Sequence, residues 1–146
     1  MKLEIATHPR RARRGIARTR RYSVCEPLES RIAPAAVSWT GASGGNWNVA
    51  GNWSGGAVPG MGDDVTINHA GATLVLIDSG AFAVNSLNVI GDDVLQMTGG
   101  SLSVALSSTI SHLDVSNATL TATTLVTLTG TSSISGDATL GGDGAE

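Results

Sequence analysis

Nine carboxylates and two histidines are the only ionisable side chains in residues 32–146, and their placement limits what chemistry the chain could attempt. Glycine precedes four of the acidic sites, at Gly62-Asp63-Asp64, Gly91-Asp92-Asp93, Gly136-Asp137 and Gly142-Asp143. Aspartate after glycine is first a turn former. A glycoside hydrolase needs two carboxylates facing one cleft, but Asp63/Asp64 and Asp92/Asp93 are sequence neighbours. In an extended backbone each pair points to opposite faces. A lyase acting on uronates needs a cation and a strong base, and this stretch has no arginine, lysine or tyrosine. His69 and His112 stand apart from any cysteine or serine motif. Calcium favours such oxygens, yet the Gly-Gly-x-Gly-x-Asp repeat that binds it is absent. The expectation is no catalytic residue, no metal site and no cofactor.

Trp39, Trp47 and Trp53 are the other residues with recognition potential. All three fall in a glycine-punctuated stretch, with Asn-Trp at Asn46-Trp47 and again at Asn52-Trp53. Exposed indoles on a β surface stack on sugar rings, which makes these three the candidate glycan contacts. The competing expectation is that they plug the open end of a stack of strands, whose unpaired edge must be covered.

Charge divides the chain sharply. Every lysine and arginine lies within residues 1–31, which carry nine positive and three negative charges, while the remainder carries nine negative charges and no Lys or Arg. An acidic body of this kind cannot neutralise nucleic acid, so no nucleic-acid partner is expected. The single cysteine, Cys25, also lies in the basic segment, which excludes a disulfide-stapled body. No run of 18 apolar residues exists, so no transmembrane helix is expected.

The elements that must position these residues are strands. The body is rich in Gly, Ser, Thr, Ala, Val and Leu, a composition poor for helices and good for strands joined by tight turns. Short runs recur from Asp63 onward, among them Val65–Ile67, Thr73–Ile77, Ser86–Ile90, Val94–Met97, Ser101–Leu106 and Ala118–Ala122. Strict alternation predicts that Leu102, Val104 and Leu106 share one face, with Ser101, Ser103 and Ala105 on the other. Residues 87–111 align loosely with 113–135, a period of roughly 20–25 residues that fits one coil of a β-solenoid. No proline follows Pro59, so every later backbone N–H is free to join a ladder. The scarcity of large side chains disfavours a two-sheet sandwich.

Two segments resemble known families. Cys25-Glu26-Pro27-Leu28-Glu29-Ser30-Arg31-Ile32-Ala33-Pro34-Ala35 resembles the Leu-Glu-x-Arg leader signature of large extracellular repeat proteins of planctomycetes and related bacteria. That resemblance implies export, although the apolar stretch of an ordinary secretory signal is missing. Trp39-Thr-Gly41, Asn46-Trp47, Asn52-Trp53, Gly56-Ala-Val-Pro59-Gly60 and Asp63-Asp64-Val-Thr-Ile67 follow in order a pattern similar to that opening the repeats of autotransporter-associated β-strand proteins and haemagglutinin-like adhesins. In that family the pattern precedes a parallel β-helix.

The sequence therefore predicts an all-β protein with a right-handed parallel β-helix. Residues 1–36 are read as a basic export-associated leader, 37–62 as a Trp/Gly-rich N-terminal cap, and 63–146 as solenoid repeats. The ending Gly141–Glu146 shows no capping element, so the chain is expected to be a fragment of a longer protein or to stack on another protomer. The expected function is non-enzymatic: a secreted or cell-surface structural, adhesin-like protein. The alternative is a carbohydrate-binding module using Trp39, Trp47 and Trp53 as its platform. Expected partners are surface polysaccharide or another copy meeting it at the solenoid ends.

Overall fold

The computed structural model describes residues 34–142. The basic residues, Cys25 and nearly all of the expected leader lie outside the described residues, as do Asp143 and Glu146. What is described is nearly all β, a parallel β-solenoid of about four turns.

Three ladders run along the stack. The first holds β1 (Ala35–Ser38), β3 (Asp63–Ile67), the N-terminal halves of β6 (Ser86–Met97) and β8 (Ser108–Ser116), and β10 (Val126–Leu128). The second holds β2 (Gly44–Asn46), β4 (Leu74–Ile77), the C-terminal halves of β6 and β8, and β11 (Ser132–Ser135). The third stacks β5 (Ala81–Val84), β7 (Ser101–Val104), β9 (Thr119–Ala122) and β12 (Thr139–Gly142). Every one of these pairings is parallel. One coil thus consists of a strand from each ladder in turn.

Alternation within each strand explains the interior. Val37, Val65 and Leu87 stand in one column, and Ile67, Val89 and Ile110 in the next. The second ladder supplies Val75, Leu95 and Leu113, then Ile77, Met97 and Val115. The third supplies Leu102 over Leu120, and Val84, Val104 and Ala122. All are buried. Each aliphatic side chain taken from water contributes about 1.5–3 kcal/mol before chain entropy is subtracted. Like residues stack on like from coil to coil, so the interior stays narrow and few rings are needed.

Register departs from the sequence expectation in two places. Leu95, not Leu87, lies opposite Leu113, because coils change length at their corners. In β6 four residues, Ile90 to Asp93, separate Val89 from Val94, whereas in β8 only Ser111 separates their partners Ile110 and His112. Leu106 also does not share the inward face of Leu102 and Val104. Strand β7 ends at Val104, and Leu106 is 50% exposed on the following corner.

The tryptophan segment forms the first coil of the stack. Ala35 opposes Asp63 and Gly44 opposes Leu74, steps of 28 and 30 residues, against 20 and 18 from Ala81 to Ser101 to Thr119. The extra length is taken up by a 3-10 turn over Ala50–Asn52, none of it buried, and by an antiparallel bridge between Trp39 and Trp53. The third ladder has no strand in this coil, and the indoles fill the space instead. Ala35 and Ala36 are already paired with Asp63 and Asp64, so the ladder begins inside the segment expected to be leader.

Candidate functional site

The tryptophans form one packed cluster. Trp53 lies edge-on to Trp39 at 4.9 Å between ring centroids and to Trp47 at 4.7 Å, and Phe82 of the next coil stands 6.2 Å from Trp47. Perpendicular aromatic pairs of this kind add about 0.5–1.5 kcal/mol beyond area burial. The Trp53 indole N–H donates to the Trp47 carbonyl at 2.8 Å, while those of Trp39 and Trp47 find no acceptor among the described residues. Exposures of 4%, 0% and 2% for Trp39, Trp47 and Trp53 decide their role. None offers a ring face to a sugar, which corrects the expectation of a glycan-stacking platform. The physical reason is the missing strand in the first coil: the hollow it leaves is worth more to an indole than solvent is.

The paired aspartates do turn to opposite sides. Asp93 is buried and accepts from the backbone N–H of Thr73 at 2.9 Å and of His69 at 2.7 Å, while its own carbonyl accepts from the Ser111 hydroxyl at 3.2 Å. It clamps the loop between β3 and β4 to the corner below. Its neighbour Asp92 is exposed. Asp63 accepts from the Gly60 N–H at 2.7 Å. The Asp64 carboxylate accepts from the Ser86 hydroxyl and the Asn85 amide, both at 2.7 Å, tying one coil to the next. Those two donors, Ser86 first and Asn85 second, hold Asp64 below the ordinary carboxylate range against a smaller opposing effect of burial. Asp78 is also lowered, by Asn46 and then Ser79.

A lowered pKa in the folded state means a contribution present above the unfolded value and lost as pH falls through the folded one. The melting temperature is therefore expected to drop as pH falls below about 4, and Asp64→Asn to flatten that dependence. Calorimetric scans of both proteins from neutral to acid pH check this; parallel curves contradict it.

Each carboxylate that accepts a hydrogen bond here does so from its own fold. His69 meets the Gly71 carbonyl at 3.2 Å and His112 the Thr131 carbonyl at 3.3 Å, on different coils. Among the described residues no group of three or more His, Cys, Asp or Glu side chains converges as metal ligands would.

A surface feature not anticipated from the sequence is an open groove of about 460 Å³ beside the third ladder. Ala83, Ser103, Thr121 and Gly141 occupy one register column there, flanked by Ala105 and Thr123, with Met61 overhanging one end. Ser103 and Thr121 hydroxyls stand 2.9 Å apart. The groove is small-sided and hydroxylated, with no carboxylate or imidazole among the described residues that line it. Small residues at alternate positions of β5, β7 and β9 are its sequence signal, legible only once the coil register is known.

Comparison yields no match. No family model, curated protein or solved structure resembles this chain closely enough to place it beside a known protein. No helix among the described residues is long and apolar enough to cross a membrane.

Proposed function

We propose that this chain is a non-catalytic structural element, exported and held at the cell surface, whose solenoid serves as an adhesin-like spacer. The observation that carries this reading is where the polar chemistry goes. Asp63, Asp64 and Asp93 each bind a neighbouring segment of the chain, and the tryptophans are consumed by the core. What is left outside is hydroxyls and acids interspersed with aliphatic side chains such as Leu74, Ile90 and Leu125, along a stack that lengthens by one strand spacing per coil. The resemblance of residues 25–35 to an extracellular leader supports export. The ends of the rod are its self-association surfaces.

Protease shaving of intact cells that make this protein tests the location. Trypsin has no site beyond Arg31, so elastase is the appropriate reagent. Peptides from residues 37–142 are expected in the supernatant of unbroken cells; their appearance only after lysis overturns the reading.

The groove favours a second reading, carbohydrate binding without aromatic stacking. Its hydroxyls suit an uncharged polysaccharide chain, since an acidic one meets a body without lysine or arginine. Affinity electrophoresis in gels cast with neutral and acidic polysaccharides distinguishes the two readings. Retardation by a neutral polymer, lost in Thr121→Lys, supports binding, and equal mobility in every gel leaves the spacer alone.

A further inference from the structure

An asparagine followed at the second position by serine or threonine, with no proline between, is the acceptor signal for N-linked sugar. The chain carries this spacing twice, at Asn52-Trp53-Ser54 and at Asn117-Ala118-Thr119. The fold uses the two in opposite ways.

The first is absorbed by the opening coil. The Asn52 amide nitrogen donates to the Asn46 carbonyl at 3.0 Å, the Ser54 hydroxyl accepts from the Ser38 N–H at 3.0 Å, and Trp53 between them is buried. A sugar on that nitrogen would displace the contacts that hold the coil shut.

Asn117 stands exposed at the corner between the second and third ladders, with φ +51°. Each such corner carries one left-handed residue, and in the other three it is glycine: Gly80, Gly100 and Gly136. Asparagine tolerates this conformation better than most residues, but glycine adopts it without steric cost. Asn117 is the only non-glycine residue with positive φ among the described residues. Its Oδ1 accepts from the Asp137 N–H at a long 3.4 Å, and its Nδ2 makes no hydrogen bond among the described residues. Gly136 of the next coil gives the amide room, since a Cβ there would lie 2.7 Å from Asn117 Oδ1. A side chain is thus kept, exposed and nearly unused, where neighbouring corners have none.

We propose that Asn117 is a site of N-glycosylation and carries an oligosaccharide outward from this corner. This rests on the export reading above, because lipid-linked sugar donors are used on the exported side of a membrane. In the transfer, Asn117 Nδ2 bonds to the anomeric carbon of a polyprenyl-diphosphate oligosaccharide. The bond from that carbon to the diphosphate oxygen breaks, the lipid diphosphate leaves, and the amide proton passes to a base of the transferase. In the folded coil the Thr119 N–H donates to the Gly100 carbonyl and the Ala118 carbonyl accepts from the Thr139 N–H, both at 3.0 Å. The acceptor tripeptide is then pinned on both sides. Transfer therefore precedes closure of this coil, and the finished corner leaves the sugar in solvent.

Intact-mass measurement and elastase peptide mapping of the full chain, recovered from the surface of cells that make it, test the proposal. The expected result is sugar mass on the peptide holding Asn117 and none on the peptide holding Asn52. Thr119→Val, which keeps the acceptor amide and removes the hydroxyl, abolishes the modification, and Thr119→Ser retains it. Asn117→Gly also abolishes it while far-UV circular dichroism stays unchanged, which separates loss of sugar from loss of fold. A surface-recovered chain with a bare Asn117 overturns this inference and leaves export standing. A bare chain found only after lysis overturns both. Sugar retained in Thr119→Val, or carried by Asn52 of the folded protein, also sinks the proposal.

Discussion

Trp47→Ala is expected to cost about 3–5 kcal/mol, the range for removing a large aromatic from a packed interior. Trp47 is wholly buried, supports Trp53 at 4.7 Å and reaches Phe82 of the following coil. Its removal leaves a hole where no third-ladder strand exists to close it. Since a domain of this size is stable by about 5–15 kcal/mol, the loss consumes a large share of the whole. Urea unfolding followed by circular dichroism at a strand wavelength measures it without relying on indole fluorescence. Trp47→Phe should recover part of the loss. A shift below about 1 kcal/mol, well under the usual cost of such a truncation, shows that the indoles do not hold the first coil together.

Gly100→Ala is expected to be nearly as damaging, through a different mechanism. Gly100 has φ +73°, and a Cβ there would lie 2.3 Å from the Gly80 carbonyl oxygen and 2.8 Å from the Ser79 carbonyl carbon. Left-handed backbone costs a residue with a side chain about 1–2 kcal/mol. Overpacking adds about 1–3 kcal/mol, because the obstructing atoms belong to the backbone of the preceding coil and cannot rotate away. Gly91→Ala is the matched control. Its φ is +69°, yet nothing lies within 4 Å of its Cβ, so only the backbone cost applies. Equal denaturation midpoints for the two variants contradict the close approach of coils at this corner.

Much of this fold is written locally in the sequence. Alternation in Ser101–Val104 gives the inward face correctly, and the approximate length of a coil follows from the spacing of apolar runs, but the unbroken run Leu74–Ile77 does not mark which side is buried. Corners are not legible in the same way. Whether Val89 is followed by a four-residue excursion, or Ile110 by Ser111 alone, depends on how one coil accommodates its neighbours. That accommodation displaced the expected partner of Leu113 and turned Leu106 outward. The tryptophans show the other limit. Large rings among glycines suit a sugar platform as well as a plug; the need to cover an unpaired strand edge favours the plug, and the missing strand of the first coil shows where the rings go. The groove beside the third ladder was hidden because its lining residues are small and ordinary, and meaningful only when Ala83, Ser103 and Thr121 stand in one column.

Unequal ends give the rod a direction of unravelling. In a stack where each coil touches only its neighbours, disassembly begins wherever a terminal layer has least to lose. Among the described residues the layer carrying β10 to β12 has its aliphatic side chains half wetted, while the aromatic coil acts as a bolt. Tension applied along the axis would loosen the wetted layer well before it drew out the indoles.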